Sequence, residues 1–187
     1  MTISTICTVR PAREQDIPTI IRLHESWFDG ESAKGFLLDH GEAGDILSYV
    51  IGHDKLCLLA ETDEGEPAGF IQANRAIECF DRMQWSRPEV REDCLRPHHW
   101  HVDNVAVNPA FAGCGIGRSL YEEVARLGEA GTMSAFVVRR PKVNVASLAF
   151  HKRLGFEPVG EFAADLFCGV RDYRSVLLFA DNPPRGW

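Results

Sequence analysis

No run of apolar residues in this chain approaches the roughly 20 that a membrane-spanning helix needs, although 45% of its 187 residues are hydrophobic. The opening stretch, MTISTICTVRPAREQD, has no apolar segment behind a basic start. Neither export nor a membrane partner is therefore expected, and the chain is placed in the cytoplasm. A surplus of positive charge is also missing, since 20 Lys and Arg face 27 Asp and Glu for a formal charge of −7. Nucleic-acid binding by phosphate neutralisation is not expected from that balance.

The six cysteines (Cys7, Cys57, Cys79, Cys94, Cys114 and Cys168) contain no CxxC pair. They read as reduced thiols, mostly buried in strands, with Cys114 set apart because it lies in a glycine-rich stretch. The segment CLRPHHWH gathers Cys94, His98, His99 and His101. It lacks the spacing of a zinc site, so no metal is expected. Internal repeats and low-complexity segments are absent too. Length and composition fit one domain, 1–187, with enough chain for a real core.

What is present alternates between strand and helix patterns. CTVRPA (7–12) reads as a short strand. Ile17, Ile20, Ile21, His24, Trp27 and Phe28 recur at helical spacing. A shorter helix follows in EAGDILSYVIG, then two strands, 56–61 and 67–77, around a turn. Residues 80–100 read as a long polar connection, and 100–108 as a strand. Helix 115–128 places Ile116, Leu120, Val124 and Leu127 on one face. A strand at 133–140 leads to a helix capped by Asn144 and stopped by Gly155. Strands near 157–162 and 173–179 close the chain. The expected fold class is α/β, with a mixed sheet flanked by helices.

The stretch DNVAVNPAFAGCGIGRSLYEEVARL joins a strand to a helix through Gly113, Gly115 and Gly117. Glycines free the backbone to approach a ligand, and the first helical turn offers N–H groups without internal partners. An anion such as pyrophosphate is the expected guest, with Arg118 adding charge and Ser119 a hydroxyl. A Walker loop is excluded because no Gly-Lys-Ser/Thr is present. A dinucleotide-binding fingerprint does not fit GCGIGR at this late position.

The stretch NVAVNPAFAGCGIGRSLYEEV resembles the acetyl-CoA-binding motif of the GNAT acyltransferase superfamily, Arg/Gln-x-x-Gly-x-Gly/Ala. NVASLAFHKRLGFEPVGEF is similar to that family's next motif, and VRPAREQDIPTIIRL to its first strand and helix. The resemblance covers nearly the whole chain. It implies a GNAT fold with a splayed sheet, in which the 101–107 and 133–140 strands part. It also implies acetyl-CoA as the acyl donor, with pantetheine along Val105, Ala106 and Val107. Pyrophosphate would rest on Ala112, Gly113, Cys114, Gly115, Ile116, Gly117, Arg118 and Ser119. Ala112 stands where the motif carries Arg or Gln, so the site would rely on backbone amides.

For chemistry, an alkyl amine of pKa near ~10.4 must lose a proton before attack. His101 and Asp103, two apart on one strand, face the same side. The resemblance implies a base at these positions. Asn144, Ser147 and His151 share a helix face. Asn144 resembles a pantetheine contact, grouped with Ser147. His151 stands where the family commonly has a tyrosine acid. The amine acceptor, a small molecule or peptide, would contact the 28–41 loop and the long connection. Trp27, Phe28, Glu31, Phe36, Asp39, Glu78, Asp81 and Trp85 lie there. The expected activity is N-acetyl transfer in a ternary complex. The alternative is a catalytically weak GNAT-fold module that binds acyl-CoA as a sensor or partner-binding subunit. The sequence leaves room for a homodimer.

Overall fold

The structure is a computed structural model that describes residues 7–27, 37, 41–77 and 79–184. Eight strands form one sheet: β1 (Cys7–Pro11), β2 (Lys55–Thr62), β3 (Pro67–Asn74), β4 (Gln84–Trp85), β5 (His99–Val107), β6 (Thr132–Arg140), β7 (Glu157–Phe167) and β8 (Val170–Ala180). Their spatial order is β1-β2-β3-β5-β6-β8-β7-β4. Every neighbouring pair is antiparallel except β5 and β6, which run parallel. That parallel step requires a crossover, supplied by α4 (Ile116–Leu127). The other helices are α1 (Ile17–Glu25), α2 (Ala43–Ile51), α3 (Val90–Asp93) and α5 (Val145–Arg153).

Strand alternation divides the core between the two faces. Leu58, Ala60, Ile71 and Ala73 pack with Ile116, Leu120, Tyr121 and Val124 of α4. Cys57, Leu59 and Phe70 point the other way, onto Ile20 and Leu23 of α1 and Ile46 of α2. Successive side chains thus meet helices on opposite sides of the sheet. At the rim, Arg10 donates to both Asp16 and Glu61 (2.7 and 2.6 Å), tying β1, β2 and the entry to α1. The Arg10 hydrogen bonds hold the Asp16 carboxyl below its usual range.

Several sequence expectations change. The 80–100 connection is not a plain loop. It contains a 3₁₀ turn at Phe80–Arg82, the two-residue strand β4 and the short helix α3. Phe80, Met83, Val90 and Cys94 bury against Val159, Leu177 and Phe179. The strand expected at 67–77 ends at Asn74, and the last two strands form a longer hairpin. Leu127 is 37% exposed, while Tyr121 and Ala125 complete the buried face of α4. Cys57, Cys79 and Cys94 are buried, Cys7 is half-buried, and Cys168 is exposed at the β7–β8 turn. The α/β class expected from the sequence is present, with an open mixed sheet between helices.

β3 and β5 approach closely at Gly69. A Cβ added there would stand 2.7 Å from the Ala106 carbonyl oxygen and 3.2 Å from the Val107 Cα. Backbone cannot swing aside as a side chain can, so β5 itself would shift. Overpacking of this kind costs about 1–3 kcal/mol, and about 2–4 °C of melting temperature follows each kcal/mol at this size. Gly69→Ala is therefore expected to lower the melting temperature by about 2–12 °C in a thermal scan.

Candidate active site

Parallel pairing of β5 with β6 covers only His99 to Val102 against Thr132 to Ala135. Beyond that point the strands part, as expected from the sequence. A bulge coincides with the parting: Ala73 pairs with Val102 and Gln72 with Asn104, leaving Asp103 as the extra residue. Bulges bend and twist the strand that carries them. This one also reverses the alternation, so Val102, Val105 and Val107 share the α4 face while Ala106 turns to α1. Asn108 N–H donates to the Ala68 carbonyl (2.8 Å). Antiparallel alternation from that bond directs the N–H and C=O groups of Val105 and Val107 away from β3, into the gap. Trp27 reaches in from the end of α1, its indole N–H donating to the Val107 carbonyl at 3.0 Å.

The glycine stretch lies at the end of β5. Gly113 and Gly115 have φ of +85° and +83°, and a Cβ on either would meet nothing within 4 Å. Their need is conformational, since L residues rarely hold this φ. Gly117 differs from the expectation. It is a packing residue, where a Cβ would lie 3.0 Å from the Phe150 ring of α5. Of the amides from Ala112 to Ser119, three are already occupied. Ala112 donates to Pro109, Cys114 to Phe111 and Ser119 to Gly115. The amides left at the helix start are those of Gly113, Gly115, Ile116, Gly117 and Arg118. Ile116 has its side chain in the core, Ser119 is half-buried, and the exposed Arg118 pairs with Glu122 at 3.0 Å.

At the other end of the gap a row of polar side chains zigzags between β5 and β6. Thr132 Oγ1 lies 2.9 Å from His99 Nδ1. Ser134 Oγ lies 2.8 Å from both His99 Nε2 and His101 Nδ1. His101 Nε2 then faces Asp103 Oδ1 across 4.0 Å, and the Asn74 amide donates to the other Asp103 oxygen. His101 is 4% exposed and His99 is fully buried, with Phe136 edge-on to the first and Phe179 stacked on the second. Burial pushes His99 down to about 4, and burial with the neighbouring His99 pushes His101 down to about 3. Both rings are neutral at pH 7, so the 4.0 Å separation is a gap beside a carboxylate rather than an ion pair. Among the described residues, no group of three or more His, Cys, Asp or Glu converges as a metal site.

These features decide between families when set beside known proteins. Residues 18–156 match the model of the acetyltransferase (GNAT) family. The chain belongs to the GNAT acetyltransferase family.

Solved structures share the GNAT fold over nearly the whole chain. NAA60 of Arabidopsis thaliana in complex with acetyl-CoA is 17% identical with a TM-score of 0.66, covering 94% of this chain and 98% of that one. The phosphinothricin acetyltransferase of Sinorhizobium meliloti in complex with AcCoA is 19% identical with a TM-score of 0.63, over 96% and 89%. A ribosomal-protein-alanine N-acetyltransferase from Brucella melitensis is 20% identical with a TM-score of 0.62, over 92% and 98%. The lysylphosphatidylglycerol biosynthesis bifunctional protein LysX of Rhodococcus jostii is 28% identical over 134 residues. That match covers 65% of this chain and 12% of that protein. No helix among the described residues is long and apolar enough to cross a membrane.

Within this GNAT frame the α5 residues separate. Asn144 caps α5, its side chain accepting from Ser147 N–H at 3.1 Å. His151 is 2% exposed. Its Nδ1 donates to the Ser147 carbonyl (2.8 Å), so its Nε2 accepts from Tyr121 O–H (2.6 Å). Burial pushes His151 down to about 4 and the Tyr121 hydroxyl up. Both ring nitrogens are engaged inside the core, which leaves no proton aimed at the gap. The tyrosine partner was not singled out from sequence, although a hydroxyl on the apolar face of α4 demands one. Of the acceptor-loop expectations, Phe28, Glu31, Phe36, Asp39 and Glu78 lie outside the described residues. Asp81 pairs with Arg91 at 3.5 Å, and Trp85 packs edge-on against Phe80.

Three histidines held neutral by burial tie stability to pH. His99, His101 and His151 fall from 6.5 to about 4, about 3 and about 4. Between these values and 6.5 the unfolded chain binds more protons than the folded one. Stability is therefore full above pH 6.5 and is lost as pH falls toward 4, at up to about 1.4 kcal/mol per pH unit for each histidine. Urea midpoints are expected to drop clearly from pH 7 to pH 5, and an unchanged midpoint would contradict the neutral burial.

Proposed function

We propose that this GNAT protein is a single-domain, acetyl-CoA-dependent N-acetyltransferase. It moves an acetyl group to the amine of a small molecule or peptide by direct attack in a ternary complex. One observation carries the reading: the gap opened at Val102 and Ala135 has the glycine-loop amides at one end and His101 with Asp103 at the other. Pantetheine would add to the open edge of β5 at Val105, Ala106 and Val107, ending where Trp27 occupies the Val107 carbonyl. Pyrophosphate would rest on the amides of Gly113, Gly115, Ile116, Gly117 and Arg118. Asn144 and Ser147 at the start of α5 border the same cleft in this reading.

The acceptor arrives as an ammonium and must lose a proton. An N–H group between His101 Nε2 and Asp103 Oδ1, 4.0 Å apart, can donate to both. Asp103 favours the charged amine by charge, and His101 removes the proton. The oxyanion of the tetrahedral intermediate needs a fixed donor. Val105 N–H, the first amide facing the gap past the bulge, is assigned that role. A thiolate of ordinary pKa near ~8.5 leaves without strong acid assistance. No acid role is given to His151.

CoA binding is the first test. At a hundredfold excess over its dissociation constant, a ligand adds about 2.7 kcal/mol, or about 5–10 °C in melting temperature at this size. Gly115→Ala, which strains a φ of +83°, is expected to reduce that shift. Gly65→Ala in the β2–β3 turn, with φ +79°, should leave the CoA shift intact. No stabilisation by millimolar CoA would remove both the enzyme reading and its sensor alternative. Binding without thiol release across a broad amine and peptide panel would favour the sensor, a reading consistent with Ala112 at the Arg/Gln position.

His101→Ala tests the base. Its kcat is expected to fall by about 10²–10⁴-fold with the CoA thermal shift retained. Because burial and the neighbouring His99 push His101 down to about 3, the wild-type rate should show no break near pH 6.5 and should rise toward the amine's own pKa. An unchanged rate and profile in the variant would sink the assignment.

A further inference from the structure

The base proposed above is held too far from its own charged form to keep a proton, and the side chains behind it supply an exit. We propose that His101, Ser134, His99 and Thr132 form a relay that carries the acceptor's proton from the gap to the starts of β5 and β6. The inference rests on His101 as base and adds Ser134, His99 and Thr132 as positioning residues for the same reaction.

The geometry carries it. Four side chains from two parallel strands make three contacts of 2.8, 2.8 and 2.9 Å in sequence. Ser134 and His99 are fully buried, so neither exchanges protons with water directly. Thr132 is half-buried, between exposed Gly131 and a pairing partner that follows exposed His98. The inner end meets the acceptor site and the outer end meets solvent.

Ser134 has a single hydroxyl proton, and this polarises the row. When His101 donates from Nδ1 to Ser134, Ser134 donates to His99 Nε2, and His99 donates from Nδ1 to Thr132. His101 Nε2 then presents a lone pair to the gap. On taking the amine proton at Nε2, His101 passes its Nδ1 proton to Ser134. Ser134 passes its own to His99 Nε2, His99 passes its Nδ1 proton to Thr132, and Thr132 releases one to water. One proton enters and one leaves. Both rings end protonated on Nε2, and no imidazolium persists. The starting tautomers return when His101 Nε2 gives its proton to the departing CoA thiolate while Thr132 takes one from water and the row shifts back, so that one proton again enters and one leaves. The low values of both histidines, about 3 and about 4, suit rings that hand protons on.

The tautomers test this without turnover. In either polarity a single Ser134 proton forces both rings to carry hydrogen on the same atom, both on Nδ1 or both on Nε2. Nitrogen-15 NMR of the histidine side chains in the full chain at pH 7 is expected to show both rings protonated on Nδ1; both on Nε2 would leave His101 no lone pair toward the gap and would overturn the relay. Unlike tautomers, His101 on Nδ1 and His99 on Nε2, would mean that Ser134 only accepts, and would overturn the relay.

Kinetics separate the relay from the base. Using the fastest amine of the acceptor panel, Thr132→Val is expected to lower kcat about 10-fold with the KM for acetyl-CoA unchanged, and Ser134→Ala at least as much. Thr132→Ser, which restores the hydroxyl, is expected to recover the rate. Full activity in Thr132→Val beside a slow His101→Ala would overturn the relay and leave the base standing. Full activity in His101→Ala would remove the base and the relay together.

Discussion

The site depends on β5 ceasing to pair with β6 after Val102. A parallel ladder that ran to the end of both strands would satisfy every main-chain group and close the sheet. The bulge at Asp103 prevents this by adding one residue to β5 against β3. Past it, the N–H and C=O of Val105 and the N–H of Val107 face a gap, while the Val107 carbonyl accepts from Trp27. Unpaired main-chain groups in a protein interior are costly, so such an edge calls for water or for a ligand with amide groups of its own. An extended pantetheine arm has those groups. The same bulge brings Asp103 beside His101, which is why the open edge and the candidate base lie next to each other.

Several features fix the gap at the glycine-loop end. Gly113 and Gly115 adopt a left-handed conformation that delivers the chain into α4 with its first amides exposed. Gly117 allows α4 and α5 to approach through Phe150. Gly69 lets β3 come close to Ala106 and Val107 at the same end of β5. Trp27 holds the Val107 carbonyl from above. A loop with Ala112 in the motif position lacks a long cation there, and Arg118 is partnered by Glu122. The proposed anion site therefore rests on oriented dipoles more than on net charge.

Much of this was legible in the sequence because local chemistry specified it. The glycine spacing, the Asn144 cap and the periodicity of α4 and of the paired strands each follow from nearest neighbours. Leu127 was misplaced because the apolar stripe of α4 runs through Tyr121 and Ala125 instead. The region 80–100 read as a loop because its elements are two to four residues long and gain their stability from β7 and β8. Strand pairing was less visible still. His99 and His101 are conspicuous in the sequence, but their link through Ser134 arises only when β6 lies parallel to β5 in this register. The Asp103 bulge left no compositional mark. Tyr121 and His151 are thirty residues apart and become partners only through the packing of α4 on α5.

Burial changes what a histidine can do. An imidazole at the surface serves as a base because it can hold a proton near neutrality. One that is 4% exposed beside another histidine cannot, since its charged form is poorly solvated. His151 shows the structural use of such a ring: Tyr121 and Ser147 complete it, and it stays neutral as a core hydrogen-bonding piece. His101 differs in one respect. One nitrogen is completed by Ser134, and the other faces a carboxylate at 4.0 Å. In the proposed reaction the His101 Nε2 lone pair faces that carboxylate, which is unfavourable until a cation comes between them. An ammonium would relieve that repulsion on binding and, by bonding to His101, begin to lose its proton. The proposed site would thereby select for a charged amine and act on the charge that made it bind.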